Sequence, residues 1–382
     1  MPMSGHASSG NRVRRLVFVD VARALAVLFM VQGHTLDVLL ASPWRQGAFW
    51  DGWLFLRGLT SCTFLLLSGL AFSVTSLRRW EDHRRWSPQV TRRLRRVAFF
   101  VALAYASRFP AGSVFDLEWV TPGGWRNFFA VDILQTIGVT LLALQALLAL
   151  APTRRAFAAV AGSLAAGVSA ATPLFWAADW SGWPAWLAPY VSPAGAAVFP
   201  LVPWSAYILL GAALGAMYDR WTAERPPEAI ARVVLGAGVG LVAGGAALAL
   251  IPGTHYGHPD FWRTSPSIFL VRSGAVFAVL GAVMYGSLRR AQAPAVIEAL
   301  AAESLVIYVA HVALLYGSTW NPSLGRILGP QGPGATLGWV LVLLAASVAA
   351  AWAWHTCKRR APRMAAGVRL ATFTFLFGSL LV

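Results

Sequence analysis

Runs of roughly 20 apolar residues recur along this chain of 382 residues, separated by short segments that hold most of its arginines. No other feature restricts the fold as much, because a helix of that length spans the hydrocarbon core of a bilayer. With 57% hydrophobic and 12% charged residues, neither an ordinary soluble domain nor a disordered chain fits. Spans are expected near 17–41, 49–76, 96–110, 128–151, 156–173, 195–218, 231–251, 267–288, 300–317 and 335–355, with a last apolar segment at 367–382. The fold class is accordingly all-α, a polytopic integral membrane helical bundle of 10–11 transmembrane helices with a cytoplasmic N-terminus. Residues 1–16 read as a polar cytoplasmic tail and residues 17–382 as a single membrane domain. The first apolar run is too long for the core of a signal peptide and carries internal charges, so it should persist as the first helix.

The formal net charge of +16 is distributed with a pattern. With the N-terminus inside, Arg12, Arg14, Arg15, the arginine-rich loop 78–96, Arg154, Arg155, Arg220, Arg225, Arg232, Arg289, Arg290 and the Lys358–Arg363 group all fall on the cytoplasmic side. The opposite loops carry Arg45, Arg126, Arg263 and Arg326. This is the positive-inside bias, and it reads as topology and contact with anionic lipid rather than as nucleic-acid binding. Loop 78–96 could equally hold the phosphates of coenzyme A. Two cysteines, Cys62 and Cys357, make no disulfide framework. His255, His258 and Asp260 in YGHPDF lack helical spacing and a fourth ligand, so no metal is expected. Trp176, Trp180, Trp183 and Trp186 suit an interfacial aromatic belt or a platform for stacking sugar rings. Gly211 with Gly215, and Gly236, Gly240 and Gly244, have the small-xxx-small spacing of closely packed membrane helices. The stretch GAGVGLVAGG lies inside a span with no strand before it, which argues against a dinucleotide loop.

Ionisable residues inside the spans carry the functional signal, since each costs roughly 2.5–3.5 kcal/mol at the bilayer centre. Asp20 and Arg23 are i,i+3 neighbours able to pair on one face. Arg23 and His34 return to one face of the same helix, about 16 Å apart along its axis. His34 and Asp37 fall toward the outer end of the first span, and Asp51 and Arg57 in the outer half of the second. Asp132 and Gln135 open the fourth on that side, Arg272 lies near the outer end of the eighth, and His311 in the outer half of the ninth. Ser304, Tyr308 and His311 share a face through their i, i+4, i+7 spacing. Asp20, Arg23 and Glu303 lie nearer the cytoplasm. Side chains from five helices therefore converge at one depth, which is how bundles build sites. His34, with the Asp37 carboxylate one turn on to orient it, has the makings of a general base. Structural readings stand beside these. Asp20–Arg23 fits a buried ion pair, Arg57 or Arg272 could neutralise Asp51 or Asp132, and His311 could be a satisfied core histidine.

Five segments, VDVARALAVLFMVQGH, TFLLLSGLAFS, DILQTIG, FPLVPWSAYILLGAALG and SLVIYVAH, occur in an order that resembles the bacterial relatives of heparan-alpha-glucosaminide N-acetyltransferase. The resemblance covers residues 16–317. The Arg23–His34 spacing also resembles that of membrane acyltransferases that acetylate bacterial surface polysaccharides. The implied activity is transfer of an acetyl or other acyl group from cytoplasmic acetyl-CoA, or another acyl-CoA, to a sugar amine or hydroxyl outside the membrane. The implied location is multi-pass in the bacterial inner (cytoplasmic) membrane. By the same resemblance His34 sits at the reaction centre and Arg23 belongs to an essential polar thread. The chain departs from the pattern twice. Ala24 follows Arg23 where the family commonly has glycine, and loop 38–50 lacks the histidine that the human-type enzyme carries after its first helix.

The catalytic set expected is His34, Asp37 and His311. Asp20, Arg23, Arg57, Asp132, Gln135, Arg272 and Tyr308 are expected to bind donor and acceptor, with Arg272, Tyr308 or His311 able to steady an oxyanion. The expected partners are membrane lipids, acyl-CoA and a saccharide acceptor, with no nucleic acid and no metal; the oligomeric state stays open, a homodimer included. The main competing reading is a proton-coupled transporter or permease of a small solute, with Pro200 and Pro203 breaking a helix around its site. The two halves of the chain show no obvious repeat, which weighs against it. A structural scaffold is the third reading, and it leaves the buried ionisable groups unexplained.

Overall fold

The structure, a computed structural model, describes residues 16–193, 196–318 and 320–379. The expected tail, with Arg12, Arg14 and Arg15, lies outside the described residues except for Leu16, as do residues 380–382. The long helices are α1 (Val17–Leu39), α2 (Ala48–Leu77), α4 (Pro88–Ser107), α6 (Ile133–Leu150), α7 (Arg154–Ala177), α9 (Leu201–Glu224), α10 (Pro227–Ala249), α12 (Pro266–Gly286), α16 (Pro333–Arg360) and α17 (Pro362–Ser379). Between them lie the shorter α3 (Trp80–Arg84), α5 (Pro122–Phe128), α8 (Ala188–Val191), α11 (Phe261–Thr264), α13 (Ala295–Ala302), α14 (Ser304–Tyr316) and α15 (Leu324–Leu328). Among the described residues the β-structure amounts to two isolated bridges, Leu40 with Gln331 and Ser318 with Asn321. Local signals set several starts. Ser87 accepts from the Val90 N–H ahead of Pro88 in α4, and Thr153 accepts from the Ala156 N–H at α7, satisfying amides that a helix start leaves open.

Among the described residues, α1, α2, α6, α7, α9, α10, α12 and α16 are long and apolar enough to cross a membrane. The pair α13–α14, bent by 65° at Glu303, adds a ninth if taken as one broken span. Helix α4 falls short of that standard because its first half carries Arg92, Arg93, Arg95 and Arg96. Its packing nevertheless takes it the whole way. Arg93 donates to Gln145 Oε1 toward the end of α6 at 2.7 Å, while Arg108, just past the other end of α4, reaches Asp132 at the start of α6 at 2.9 Å. The two helices therefore run antiparallel over the same depth, and the expected span 96–110 is largely the apolar half of α4. The described part of the last apolar segment is helical in α17 but is not among the helices that meet the span standard. The end of the bundle where α1 finishes is its outer end. At the opposite end Asp219 of α9 gathers Arg78 at 3.2 Å and Arg154 at 3.9 Å, joining three of the basic segments expected inside.

Glycine decides how closely the helices approach. Gly69 of α2 faces Ile208 and Ala212 of α9, while Gly211 and Gly215 of α9 face Leu66 and Leu70 of α2, backbone against backbone. Ser73 Oγ spans this seam to the Ala212 carbonyl at 2.7 Å. The second seam corrects the sequence expectation. Gly236, Gly240 and Gly244 have no neighbour within 4 Å, whereas Gly238 and Gly245 pack on Gly274 and Ser267 of α12. Both sets have spacing compatible with close packing, but the helix turns the second toward α12 and the first away from the bundle.

Two buried apolar clusters result. The larger joins α2, α6, α7, α9 and α12 through Leu66, Leu70, Leu144, Phe157, Ile208 and Leu280. The smaller joins α1 with α13, α14 and α16 through Val27, Val31, Leu300, Ile307 and Leu343. Helix α1 contributes Phe18, Val19 and Ala22 to the larger cluster and Ala24, Val27 and Val31 to the smaller. It is the element shared by both.

Candidate functional site

The outer half of α1 meets α14 through two imidazoles. His34 Nδ1 lies 2.8 Å from His311 Nε2, with the rings 5.0 Å apart and nearly parallel at 14°. His311 Nδ1 lies 2.7 Å from the Ile307 carbonyl. A carbonyl accepts only, so His311 Nδ1 carries the hydrogen and, in the neutral ring, Nε2 is a lone pair. His34 must then donate from Nδ1. Its Nε2 is left as the basic nitrogen of the pair. Tyr308 stands edge-on to His311 with ring centres 5.9 Å apart, and Tyr316 edge-on to His34 at 5.6 Å.

The charged residues around this pair are partnered differently from the sequence expectation. Asp37, expected to orient His34, forms an ion pair with Arg57 of α2 instead. Gly33 gives Arg57 its passage, since a β-carbon there would lie 3.2 Å from Arg57 Cγ. Arg57 also lies over the Trp53 ring at 5.7 Å. Arg45 folds back over the end of α1, donating to the Leu40 and Asp37 carbonyls at 2.7 Å each, where the helix presents unpaired carbonyls and the negative end of its dipole. Asp132 is held by Arg108, whose Nε and Nη2 lie 3.0 and 2.9 Å from Oδ2. Asp51 is exposed near the start of α2. Neither Arg57 nor Arg272 therefore neutralises Asp51 or Asp132. Tertiary neighbours from α1 and α4 supply the counter-charges, which spacing along one helix could not reveal.

Gln135 is buried and accepts from the Asp132 N–H at 3.0 Å, closing a capping box at the start of α6. Its geometry is that of a helix cap. Arg272 of α12 rests against Gly58 of α2 and within electrostatic reach of Cys62 and Tyr207. Asp20 is buried and Arg23 half-buried toward the inner end of α1, so the structure keeps the two ends of the polar stripe apart. A separate inner cluster forms at the α13–α14 bend. There the buried Glu303 carboxylate accepts from Lys358 Nζ at 2.7 Å and lies 3.1 Å from His355 Nδ1.

An outer cleft of about 390 Å³ is lined by Tyr316, Gly317, Ser318, Trp320, Asn321, Pro322, Ser323 and Arg326. Tyr316 belongs both to the cleft wall and to the surroundings of His34. Trp320 stacks on Phe109 with parallel rings 6.4 Å apart, and its indole donates to the Gly112 carbonyl at 3.1 Å. Tyr316, Trp320 and Arg108 were absent from the sequence-derived set. Arg108 sits inside an apolar run, and intramembrane charge was the one signal able to find it. Of the tryptophans expected to form a belt or platform, Trp176 is buried with its indole on the Val202 carbonyl at 2.8 Å, whereas Trp183 and Trp186 are exposed. In the YGHPDF loop His258 Nδ1 accepts from the Asp260 N–H at 3.1 Å and Asp260 pairs with Arg263 at 2.5 Å. No group of three or more metal-ligating side chains occurs among the described residues.

Residues 15–240 match the model of the family described as heparan-alpha-glucosaminide N-acetyltransferase, catalytic. The match covers more than half of the chain and includes α1 with His34, and α2, α4, α6 and α9. No curated protein matches the chain.

Proposed function

The chain belongs to the heparan-alpha-glucosaminide N-acetyltransferase catalytic family, and on that premise we propose that it moves an acyl group from cytoplasmic acyl-CoA to a sugar amine or hydroxyl at the outer face of the membrane. Acetyl-CoA is the donor proposed first, and the donor supplies the activated thioester. The observation that carries the reading is the hydrogen-bonded His34–His311 pair, whose His34 packs on Tyr316 of the outer cleft wall. Its geometry leaves His34 Nε2 free to take a proton from an acceptor hydroxyl or amine as that group attacks the thioester carbonyl. As the bond to the acceptor forms, the bond to sulfur breaks, and the proton held on His34 can return to the leaving thiolate. His311 Nε2 still accepts from Nδ1–H when His34 becomes an imidazolium, so the pair steadies the charge that develops there. Asp37 serves this scheme by holding Arg57 against α1. Tyr316 and Trp320 give the acceptor an aromatic wall. Arg23 lies about 16 Å below His34, a separation suited to the extended arm of a donor entering from the inner side.

The test is purified protein in lipid bilayers, given radiolabelled acetyl-CoA and a pool of saccharides. Labelled saccharide should form, and His34→Ala should lower the rate by roughly 10²-fold or more. Transfer that survives His34→Ala removes His34 from the chemistry. If no acyl-CoA binds while a solute crosses sealed vesicles, the transferase reading fails in favour of a transporter.

A further inference from the structure

Glu303 puts a carboxylate where a helix breaks. It is 1% exposed and forms the 65° corner between α13 and α14. Its backbone belongs to both legs. The N–H donates to the Ala299 carbonyl of α13 at 2.9 Å, and the carbonyl accepts from the Ile307 N–H of α14 at 3.1 Å. Its side chain reaches a third helix. Lys358 Nζ on α16 lies 2.7 Å from one carboxylate oxygen and 2.5 Å from the other, and His355 Nδ1, one turn earlier, lies 3.1 Å away. His355 also spans the corner, since its Nε2 lies 4.0 Å from Glu298 of α13. Helix α16 thus grips both legs of the bend.

A buried ion pair adds little stability over apolar packing, and its best-attested use is to fix register. That distinction matters for α14. In the smaller cluster it meets α1 and α16 through apolar side chains such as Ile307 and Leu315, and apolar attraction has no direction. A carboxylate held by an ammonium and an imidazole has one place. Register counts because α14 carries His311 about 12 Å farther along its axis. The link is continuous: the Ile307 N–H binds the Glu303 carbonyl, and the Ile307 carbonyl accepts from His311 Nδ1 at 2.7 Å. A slide of α14 by about 1 Å would take the 2.8 Å His34–His311 contact out of hydrogen-bond range. We propose that Glu303 is a positioning residue: clamped by Lys358 and His355, it sets the axial place of α14 and thereby the hydrogen bond that fixes the tautomer of His34. The kinetic consequence rests on the transferase reading; the effect on the imidazole pair does not.

The first readout needs no turnover. Nitrogen NMR of the full-length protein in lipid bilayers, with 15N-labelled histidine, distinguishes the Nδ1–H from the Nε2–H tautomer, and a His34→Ala sample identifies the His34 signals. The parent should show His34 with its hydrogen on Nδ1, and Glu303→Gln should add the Nε2–H form. Glutamine keeps the shape without the charge, and half-buried Lys358 can turn its ammonium toward the inner headgroups. The second readout is steady-state kinetics. Glu303→Gln should lower kcat by about tenfold or more with little change in KM for acyl-CoA. In a His311→Ala background it should cause no further loss, because both residues act through one hydrogen bond. A role in stability alone would give the same fold-loss in both backgrounds. Glu303→Asp, which keeps the charge but shortens the reach, serves if the glutamine variant does not fold, and should shift both readouts the same way. An unchanged His34 tautomer in the Glu303 variants, a parent without the Nδ1–H form, or equal losses in both backgrounds overturns the proposal. Turnover absent from the parent, with the tautomer change present, supports the clamp and sinks only the transferase reading.

Discussion

His34 and His311 show how one hydrogen bond to a carbonyl sets chemistry two rings away. Ile307 fixes the His311 tautomer, His311 fixes that of His34, and Nε2 of His34 is left as the basic nitrogen. Removing the acceptor frees both tautomers of His34. His311→Ala should therefore lower kcat by roughly 10²-fold with little change in KM for acyl-CoA, and His311→Gln, whose amide oxygen can accept from Nδ1–H, should recover part of the loss. Steady-state kinetics with varied donor read this out, and equal activity in all three proteins would remove His311 from its positioning role. A second histidine, His83 in the short inner helix α3, has a structural task. Burial first, and the Arg93 charge second, push its pKa from 6.5 down to about 4. It sits in a network where Arg93 reaches Gln145 and Ser76, and Gln145 donates to the His83 carbonyl at 2.8 Å. On acidification the unfolded chain takes up the proton near pH 6.5 while the folded protein resists until about pH 4. The stability contributed by neutral His83 is thus fully present above pH 6.5 and is lost progressively as pH falls toward 4. Melting curves across that window should fall for the parent protein and flatten for His83→Gln.

Among the elements, the helix pairs are set by where glycine permits backbone contact. A methyl group at Gly211 would overlap the Leu66 carbonyl of α2. Relieving it must separate α2 from α9, and with it disturb the Ser73–Ala212 hydrogen bond. Gly211→Ala should destabilise by about 1–3 kcal/mol or more. Gly240→Ala meets no atom within 4 Å and gains helix propensity, worth up to about 1 kcal/mol in favour of the variant. Thermal unfolding of the two proteins side by side checks the contrast, and equal midpoints would contradict the seam. Helix α4 makes a related point about arginine. Arg93 is spent on buried partners and lies over the Phe72 ring at 4.2 Å, while Arg92, Arg95 and Arg96 are exposed. Exposed arginines near the inner end can carry their charge toward the headgroups along a flexible stem, so a helix too basic by composition can still cross.

For the whole molecule, α1 is the member common to both apolar clusters, passing from the larger to the smaller between Ala22 and Ala24, and the His34 pair forms farther along it, on the side of the smaller cluster. The antiparallel run of α4 and α6 fixes a topology that can be checked directly. Trp86, before α4, and Glu118, between α4 and α6, are both exposed and should lie on opposite sides of the membrane. Single cysteines at these positions, in a Cys357→Ser background that leaves the buried Cys62 in place, should react with an impermeant maleimide from the inner and the outer side respectively. Reaction of both from one side would make α4 a re-entrant segment and shift every assignment after it.

The sequence by itself determined the solvent, the helical class and the orientation expected for the ends, because apolar length and arginine bias are local quantities that a bilayer reads directly. It also picked out His34, Arg57, Asp132, Arg272 and His311, since charge or imidazole inside an apolar run is costly wherever the neighbours are. Only the tertiary structure decided the partners. His34 and His311 are 277 residues apart and still 2.8 Å from each other, and Asp37 turned to Arg57 although His34 lay one turn away on its own helix. The two glycine sets of α10 show the same limit, since spacing defines a face but does not say which face has a neighbour. Pairing energies come from contacts between helices, and those are settled when the bundle packs.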